Sequence, residues 1–178
     1  MKTKRVFIGI PVPPDTGEAL FSYMKEYKDF HGIKWTTLQN LHVTVCFIGQ
    51  VAEEEITRMN QLLPSFIFKN FVLEFEAIRP FTKRKTPDMI WATFRENIPF
   101  TDLSKEIHHL SGIPLTRPPL PHVTLGRIKT TDHSTIAHLT TLPVILPTLA
   151  VNKIIFYESL STESGVKYLP LKEYFLHS

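Results

Sequence analysis

Leu41-His-Val-Thr-Val-Cys-Phe-Ile-Gly49 and Leu120-Pro-His-Val-Thr-Leu-Gly-Arg-Ile128 decide how this chain is read, because the second repeats the core of the first. Each contains His-Val-Thr and an aliphatic residue: His42-Val43-Thr44-Val45 and His122-Val123-Thr124-Leu125. Side chains of an extended strand alternate between faces, so His42 and Thr44 project to one side while Val43 and Val45 project to the other. The same holds for His122 and Thr124. A fold that sets the two strands side by side gathers two imidazoles and two hydroxyls around one space. Strict alternation also puts Cys46 on the His42 face and Arg127 on the face opposite His122.

Outward from these strands the pattern alternates between helix and strand. Arg5 to Val12 reads as a strand ended by a Pro-Pro turn, and Asp15 and Thr16 are N-cap candidates for an amphipathic helix to about Phe30. His31 to Asn40 leads into the first His-Val-Thr strand, which Gly49 closes. Glu53 to Glu55 suit the positive end of a second helix, Ile56, Met59, Leu62 and Leu63 give it an apolar face, and Pro64 helps end it. Phe71 to Ile78 alternates as one strand, with Met89 to Phe94 as its partner. The connection from Arg79 to Pro87 carries Arg79, Lys83, Arg84 and Lys85 without an acid, and reads as a basic loop.

Thr101 to Ser111 returns to helical spacing, with Thr101 as cap and Gly112 as stop. The rigid segment Arg117 to Pro121 delivers the chain into the second His-Val-Thr strand. Asp132 to Leu139 reads as a short helix, and Ala150 to Glu158 and Val166 to Phe175 as strands separated by a turn at Ser161 to Gly165. Helices thus alternate with pairs of strands, which predicts an α+β arrangement. Two small antiparallel sheets, each with one His-Val-Thr strand and helices on its outer face, would flank a cleft. No composition shift marks a linker, so residues 1–178 are expected to form a single bilobal domain.

Composition sets further bounds. The chain has 178 residues, 43% hydrophobic and 21% charged, as in soluble globular proteins. Cys46 is the only cysteine, which excludes an intramolecular disulfide and a multi-cysteine metal site and fits a reducing, cytoplasmic setting. The apolar run Val6 to Ile10 is too short for a signal peptide. Leu142 to Val151 is interrupted by Pro143 and Pro147 and falls short of the roughly 20 residues a membrane span needs. A net charge of +3 favours encounter with an anionic partner.

Histidine, with an ordinary pKa of about 6.5, gives or takes a proton near neutral pH. Two histidines facing one substrate can divide the work, one deprotonating a nucleophile and the other protonating a leaving oxygen. Threonine hydroxyls donate to non-bridging oxygens and stabilise charge that grows in the transition state. This set suits metal-independent cleavage of a phosphodiester. The sequence has no G-x-S-x-G elbow and no glycine-rich phosphate loop. It carries His-x-Thr where a metal site would want His-x-His or His-Glu-x-x-His, and no cofactor is expected.

At these motifs the chain resembles the two-histidine (2H) phosphoesterase superfamily and, more narrowly, the bacterial and archaeal RNA 2′,3′-cyclic phosphodiesterases, also called 2′-5′ RNA ligases. The likeness extends through RVFIGIPVP, NLHVTVCFIG, PDMIWATF, RPPLPHVTLGRI, IIFYESL and KYLPL. It implies a bilobal fold with an internal pseudo-twofold around a water-filled cleft. It also implies that His42 donates a proton to the leaving 3′ oxygen, that His122 activates water, and that a 2′-phosphate is left. Thr44, Thr124 and Arg127 would then hold the phosphate, Arg127 only if a bulge or strand end near Gly126 turns it into the cleft. RNA or a nucleotide with a 2′,3′-cyclic phosphate is the implied partner, acted on by a monomer. Trp35, Phe47, Trp91 and Tyr157 are the aromatic candidates for stacking a base. Two other readings are a non-catalytic RNA-end-binding module and a phosphodiesterase for a small nucleotide such as ADP-ribose 1″,2″-cyclic phosphate.

Overall fold

Val6 to Ile10 is an unbroken apolar run whose residues are all buried, as a strand covered on both faces requires. It forms the middle of β1 (Thr3–Pro11), which lies between two other strands of the main sheet. The computed structural model describes residues 3–65, 67–82, 87–129, 147–163 and 165–177. After β1 come α1 (Pro14–Glu26), β2 (Ile33–Trp35), a 3₁₀ turn (Leu38–Asn40) and β3 (His42–Ala52). Then follow α2 (Glu53–Leu62), a second 3₁₀ turn (Leu63–Ser65), β4 (Phe71–Leu73), β5 (Phe75–Thr82), β6 (Pro87–Phe94) and α3 (Ile98–Ser111). β7 (His122–Ile128), β8 (Leu149–Val151), β9 (Lys153–Thr162) and β10 (Gly165–Phe175) complete the order. The α+β class expected from the sequence is the one observed.

The strand order of the main sheet is β10-β9-β1-β3-β7-β6-β5, with β2 pairing to β7, and each described pairing is antiparallel. The two sheets expected from the sequence are therefore joined into one. The join is narrow: β3 and β7 share the single register pair Val43↔Val123. The two His-Val-Thr strands are neighbours at their histidine ends and diverge beyond them, which leaves the cleft between them. α3 packs on the core side of β3, where the buried Ser104 hydroxyl donates to the Val45 carbonyl at 2.9 Å. Val43, Val45, Val123 and Leu125 join Leu103, Ile107 and Phe100 in the core.

Several local expectations change. Phe71 to Ile78 is two strands: β4 pairs with β8 in a separate two-stranded sheet, and β5 pairs with β6 in the main sheet. The break falls at Glu74, whose carbonyl accepts from the Arg95 amide at 2.8 Å, and continuous alternation of apolar residues conceals it. α1 begins with Pro14 at its first turn, so Asp15 and Thr16 lie inside the helix, and it ends at Glu26 before Phe30. α3 starts three residues earlier than expected because Asn97, not Thr101, is the cap: its side chain accepts from the Phe100 amide at 3.0 Å. Gly112, in left-handed backbone with φ of 68°, ends α3 as expected.

The basic connection shrinks because β5 runs to Thr82 and β6 starts at Pro87, and Arg79 is a strand residue paired with Glu76. Lys83 to Lys85 and the expected helix at Asp132 to Leu139 lie outside the described residues. No helix among the described residues is long and apolar enough to cross a membrane.

Candidate active site

β3 and β7 carry the same irregularity at the same place. Opposite β1, the register passes from Ile8↔Cys46 to Gly9↔Thr44 and leaves Val45 extra. Opposite β6 it passes from Ile90↔Gly126 to Trp91↔Thr124 and leaves Leu125 extra. Each is a β-bulge, and its extra residue reverses the parity of the residues that follow, in β3 as far as a second register shift at Ile48. The burial patterns agree: the histidine and threonine are half-buried, the next two core positions are buried together, and the fifth residue after each histidine is exposed. Phe47 and Arg127 therefore return to the side of the histidines. Cys46 turns into the core, with its thiol 3.7 Å from the Ser111 hydroxyl, contrary to alternation. Burial holds that thiol in its neutral form by raising its pKa to about 11.

Gly126 answers a packing demand at the second bulge. A Cβ there would lie 3.0 Å from Trp35 Cε3 and 3.1 Å from Ile33 Cγ2, because β2 passes directly over it. Gly9 has a similar task on β1, where a Cβ would come within 3.3 Å of the His42 ring.

The two imidazoles are fixed in the same way. Nδ1 of His42 lies 2.7 Å from the Asn40 carbonyl, and Nδ1 of His122 lies 2.8 Å from the Leu120 carbonyl, in each case two residues back along the chain. A carbonyl only accepts, so Nδ1 carries a proton in both rings, and Nε2 is left to exchange one with a ligand. Nε2 of His42 lies 3.1 Å from the Thr44 hydroxyl. Desolvation lowers the pKa of both histidines, to about 4 for His42, where the Asn40 carbonyl opposes the shift and the charge of His122 adds to it. Both rings are neutral in the free protein at pH 7.

His42, Thr44, Thr124 and Arg127 line one cavity of about 370 Å³, together with Phe47 and Tyr168. Thr44 and Phe47 also line an adjoining cavity of about 510 Å³ that reaches His122 and Arg117. All five site residues named from the sequence thus border two cavities that share a wall, and the bulge settles the orientation of Arg127. Among the described residues, no group of three or more His, Cys, Asp or Glu could hold a metal ion.

Of the aromatic candidates, Phe47 alone offers an open face in the cleft, being 48% exposed with the Arg5 guanidinium 5.0 Å from its ring centroid. Trp91 is sandwiched between Phe81 and His122 at centroid distances of 3.5 and 3.6 Å, so it cannot stack on a base. The Trp35 N–H donates to the Tyr27 carbonyl and its ring packs on the core. Tyr157 stacks on Phe7. Sequence reasoning missed Arg5, Phe7 and Tyr168 at the site. They arrive from β1 and β10, remote in sequence from both motifs, and no local pattern marks them.

Comparison with known proteins gives a consistent picture. Residues 10–91 match the family described as LigT like Phosphoesterase. The RNA 2′,3′-cyclic phosphodiesterase of Aquifex aeolicus is 29% identical over 99% of this chain and 99% of its own length. That of Archaeoglobus fulgidus is 27% identical over 70% of this chain and 73% of its own. Among solved structures, apo LigT of Escherichia coli superposes with a TM-score of 0.83 at 20% identity, covering all of both chains. TT0787 of Thermus thermophilus does so at 0.81 and 22%, covering 97% of each. The structural likenesses speak for the fold, and the sequence matches carry the kinship. With its repeated His-Val-Thr strands in this fold, the chain is similar in sequence and in fold to the LigT-like, two-histidine phosphoesterases.

Proposed function

We propose that this protein hydrolyses RNA 2′,3′-cyclic phosphate ends to 2′-phosphates without a metal, with His42 and His122 as the proton-transferring pair. The observation that carries the reading is the matched anchoring of the two rings, each held through Nδ1 by a carbonyl two residues back so that Nε2 is the reactive nitrogen. His122 Nε2 takes a proton from water, whose oxygen attacks phosphorus. The bond from phosphorus to O3′ breaks, and His42 Nε2–H gives its proton to that oxygen. The products are a 2′-phosphate and a free 3′-hydroxyl. Each proton transfer contributes about 10²- to 10⁴-fold.

Thr44 and Thr124 donate to the non-bridging oxygens, and Arg127 pairs with the phosphate charge. His42 must enter the reaction protonated although burial disfavours its charge. The bound phosphodiester anion supplies the compensating charge and raises its proton affinity. Phe47 stacks on the terminal base, with Arg5 beside it. The adjoining cavity at His122 has room for a ribose 5′-hydroxyl in place of water, and attack by that group joins two RNA ends through a 2′-5′ linkage. We also infer that β1-α1-β3 and β6-α3-β7 are related by an internal twofold. Each holds a strand, a helix and a histidine-bearing strand in which a bulge falls three residues after the histidine.

E. coli LigT has been crystallised with 3′-AMP and with phosphate. The test is turnover of an oligoribonucleotide ending in a 2′,3′-cyclic phosphate in the presence of EDTA, beside 2′,3′-cyclic nucleotides and ADP-ribose 1″,2″-cyclic phosphate. The expected result is release of a 2′-phosphate with the oligonucleotide turned over fastest. Binding without product would make the protein an RNA-end-binding module, and preference for the small nucleotide would move the substrate class.

A further inference from the structure

The two histidines share their anchoring but differ in what covers their rings. His42 meets Phe7 at 4.8 Å with the planes tilted by 38°, and Tyr168 edge-on at 4.9 Å. His122 instead lies parallel to the indole of Trp91, at 3.6 Å between centroids and 19° between planes. Phe81 of β5 backs the indole at 3.5 Å and 12°, so that three rings form one stack. Trp91 is 8% exposed and its N–H has no hydrogen-bond partner among the described residues. A buried tryptophan ordinarily bonds its N–H, so here the ring is retained for its faces.

An indole face carries a negative quadrupole that attracts a cation above it. His122 is neutral in the free protein and, in the reaction proposed above, becomes an imidazolium when it takes the proton of water. We propose that Trp91 is a positioning residue for this base: its face fixes the plane of the His122 ring and stabilises the positive charge that the ring acquires. The residue acts through His122 and needs no contact with substrate. The proposal rests on the reading of His122 as the base.

The titratable and charged groups that share the surroundings of His122 come from three elements and one connecting segment. His42 faces it from β3. Glu76 of β5 pairs with Arg79 of the same strand and accepts from the hydroxyl of Thr93, the residue in register with His122 on β6. His108 of α3 and Arg117 of the segment before β7 line the same cavity. None of these is altered when Trp91 is replaced, so a change in His122 reports the indole.

The test is an NMR titration of the histidine rings in the free protein, joined to the pH dependence of kcat/KM. Trp91→Leu keeps an apolar neighbour and removes the quadrupole, whereas Trp91→Phe keeps a weaker one. The proton affinity of His122 is expected to fall about three- to tenfold in Trp91→Leu and to be largely retained in Trp91→Phe. The acidic limb of kcat/KM moves to lower pH with it. At pH 7, kcat falls about tenfold in Trp91→Leu with little change in KM, and Trp91→Phe restores most of it. Replacing tryptophan by tetrafluorotryptophan during expression weakens the quadrupole without changing the chain, and carries the test if Trp91→Leu does not fold. Trp35, also labelled, serves the core and stacks on no histidine among the described rings.

An unchanged His122 titration in Trp91→Leu or in the fluorinated protein overturns the proposal, as does equal behaviour of the Leu and Phe variants. The titration needs no turnover, so failure of the stacking argument is separable from failure of the catalytic reading.

Discussion

At the scale of single residues, the site is governed by where protons sit. Burial lowers the pKa of His42 to about 4 and shifts His122 in the same direction. In the unfolded chain both titrate near 6.5. Below that pH the unfolded state binds protons that the folded state refuses, so stability is complete above about pH 6.5 and declines as pH falls toward 4. The melting temperature should therefore drop more between pH 7 and pH 5 in the wild type than in His42→Asn/His122→Asn. An equal drop would mean that the rings are not desolvated as described. Arg127 is the other residue with a clear expectation. Charge-assisted hydrogen bonds to a phosphate contribute about 1.5–3 kcal/mol, so Arg127→Met should lower kcat/KM by about 10- to 100-fold. A surface arginine with no part in the site would leave it unchanged.

At the scale of elements, the two bulges explain both what the sequence revealed and what it hid. His-x-Thr twice was sufficient to place four side chains on the cleft, because alternation holds as far as Thr44 and Thr124. Past them one extra residue in each strand reverses the count, so alternation alone puts Cys46 and Arg127 on the wrong faces, and Arg127 reaches the cleft through the bulge beside Gly126 that its expected role requires. Periodicity cannot register a bulge that leaves the composition apolar on both sides. The break between β4 and β5 was hidden for the same reason, and β2 was missed because three residues are too few to show a period. The helices were legible, since their apolar faces repeat over 10 to 14 residues, as was the Gly112 stop of α3, though the N-caps of α1 and α3 were not. The bulge in β7 depends on Gly126, over which β2 passes. Gly126→Val should cost about 1–3 kcal/mol in denaturant unfolding by forcing β2 away, and should weaken phosphate binding by displacing Arg127. A variant as stable as the wild type would show that β2 does not press on this position.

At the scale of the whole molecule, one sheet is assembled from two halves that meet at Val43 and Val123. The repeat in the sequence foretold that its two histidines would meet. It could not foretell strand order, which depends on pairings between segments far apart in the chain. A ligand held by Thr44 from one half and by Thr124 and Arg127 from the other must stabilise both. Inorganic phosphate at 100 times its Kd should raise folding stability by about 2.7 kcal/mol, with amide protection gained in β3 and β7 together. Protection confined to one strand would place the anion elsewhere. The central claim is that His42 and His122 form one proton-transferring pair. Single-turnover conversion of a 2′,3′-cyclic-phosphate RNA end in EDTA, followed for the wild type, His42→Ala and His122→Ala, tests it most directly. The expected result is a 2′-phosphate product from the wild type and a loss of about 10²- to 10⁴-fold in rate in each variant. Undiminished conversion by either variant would contradict it.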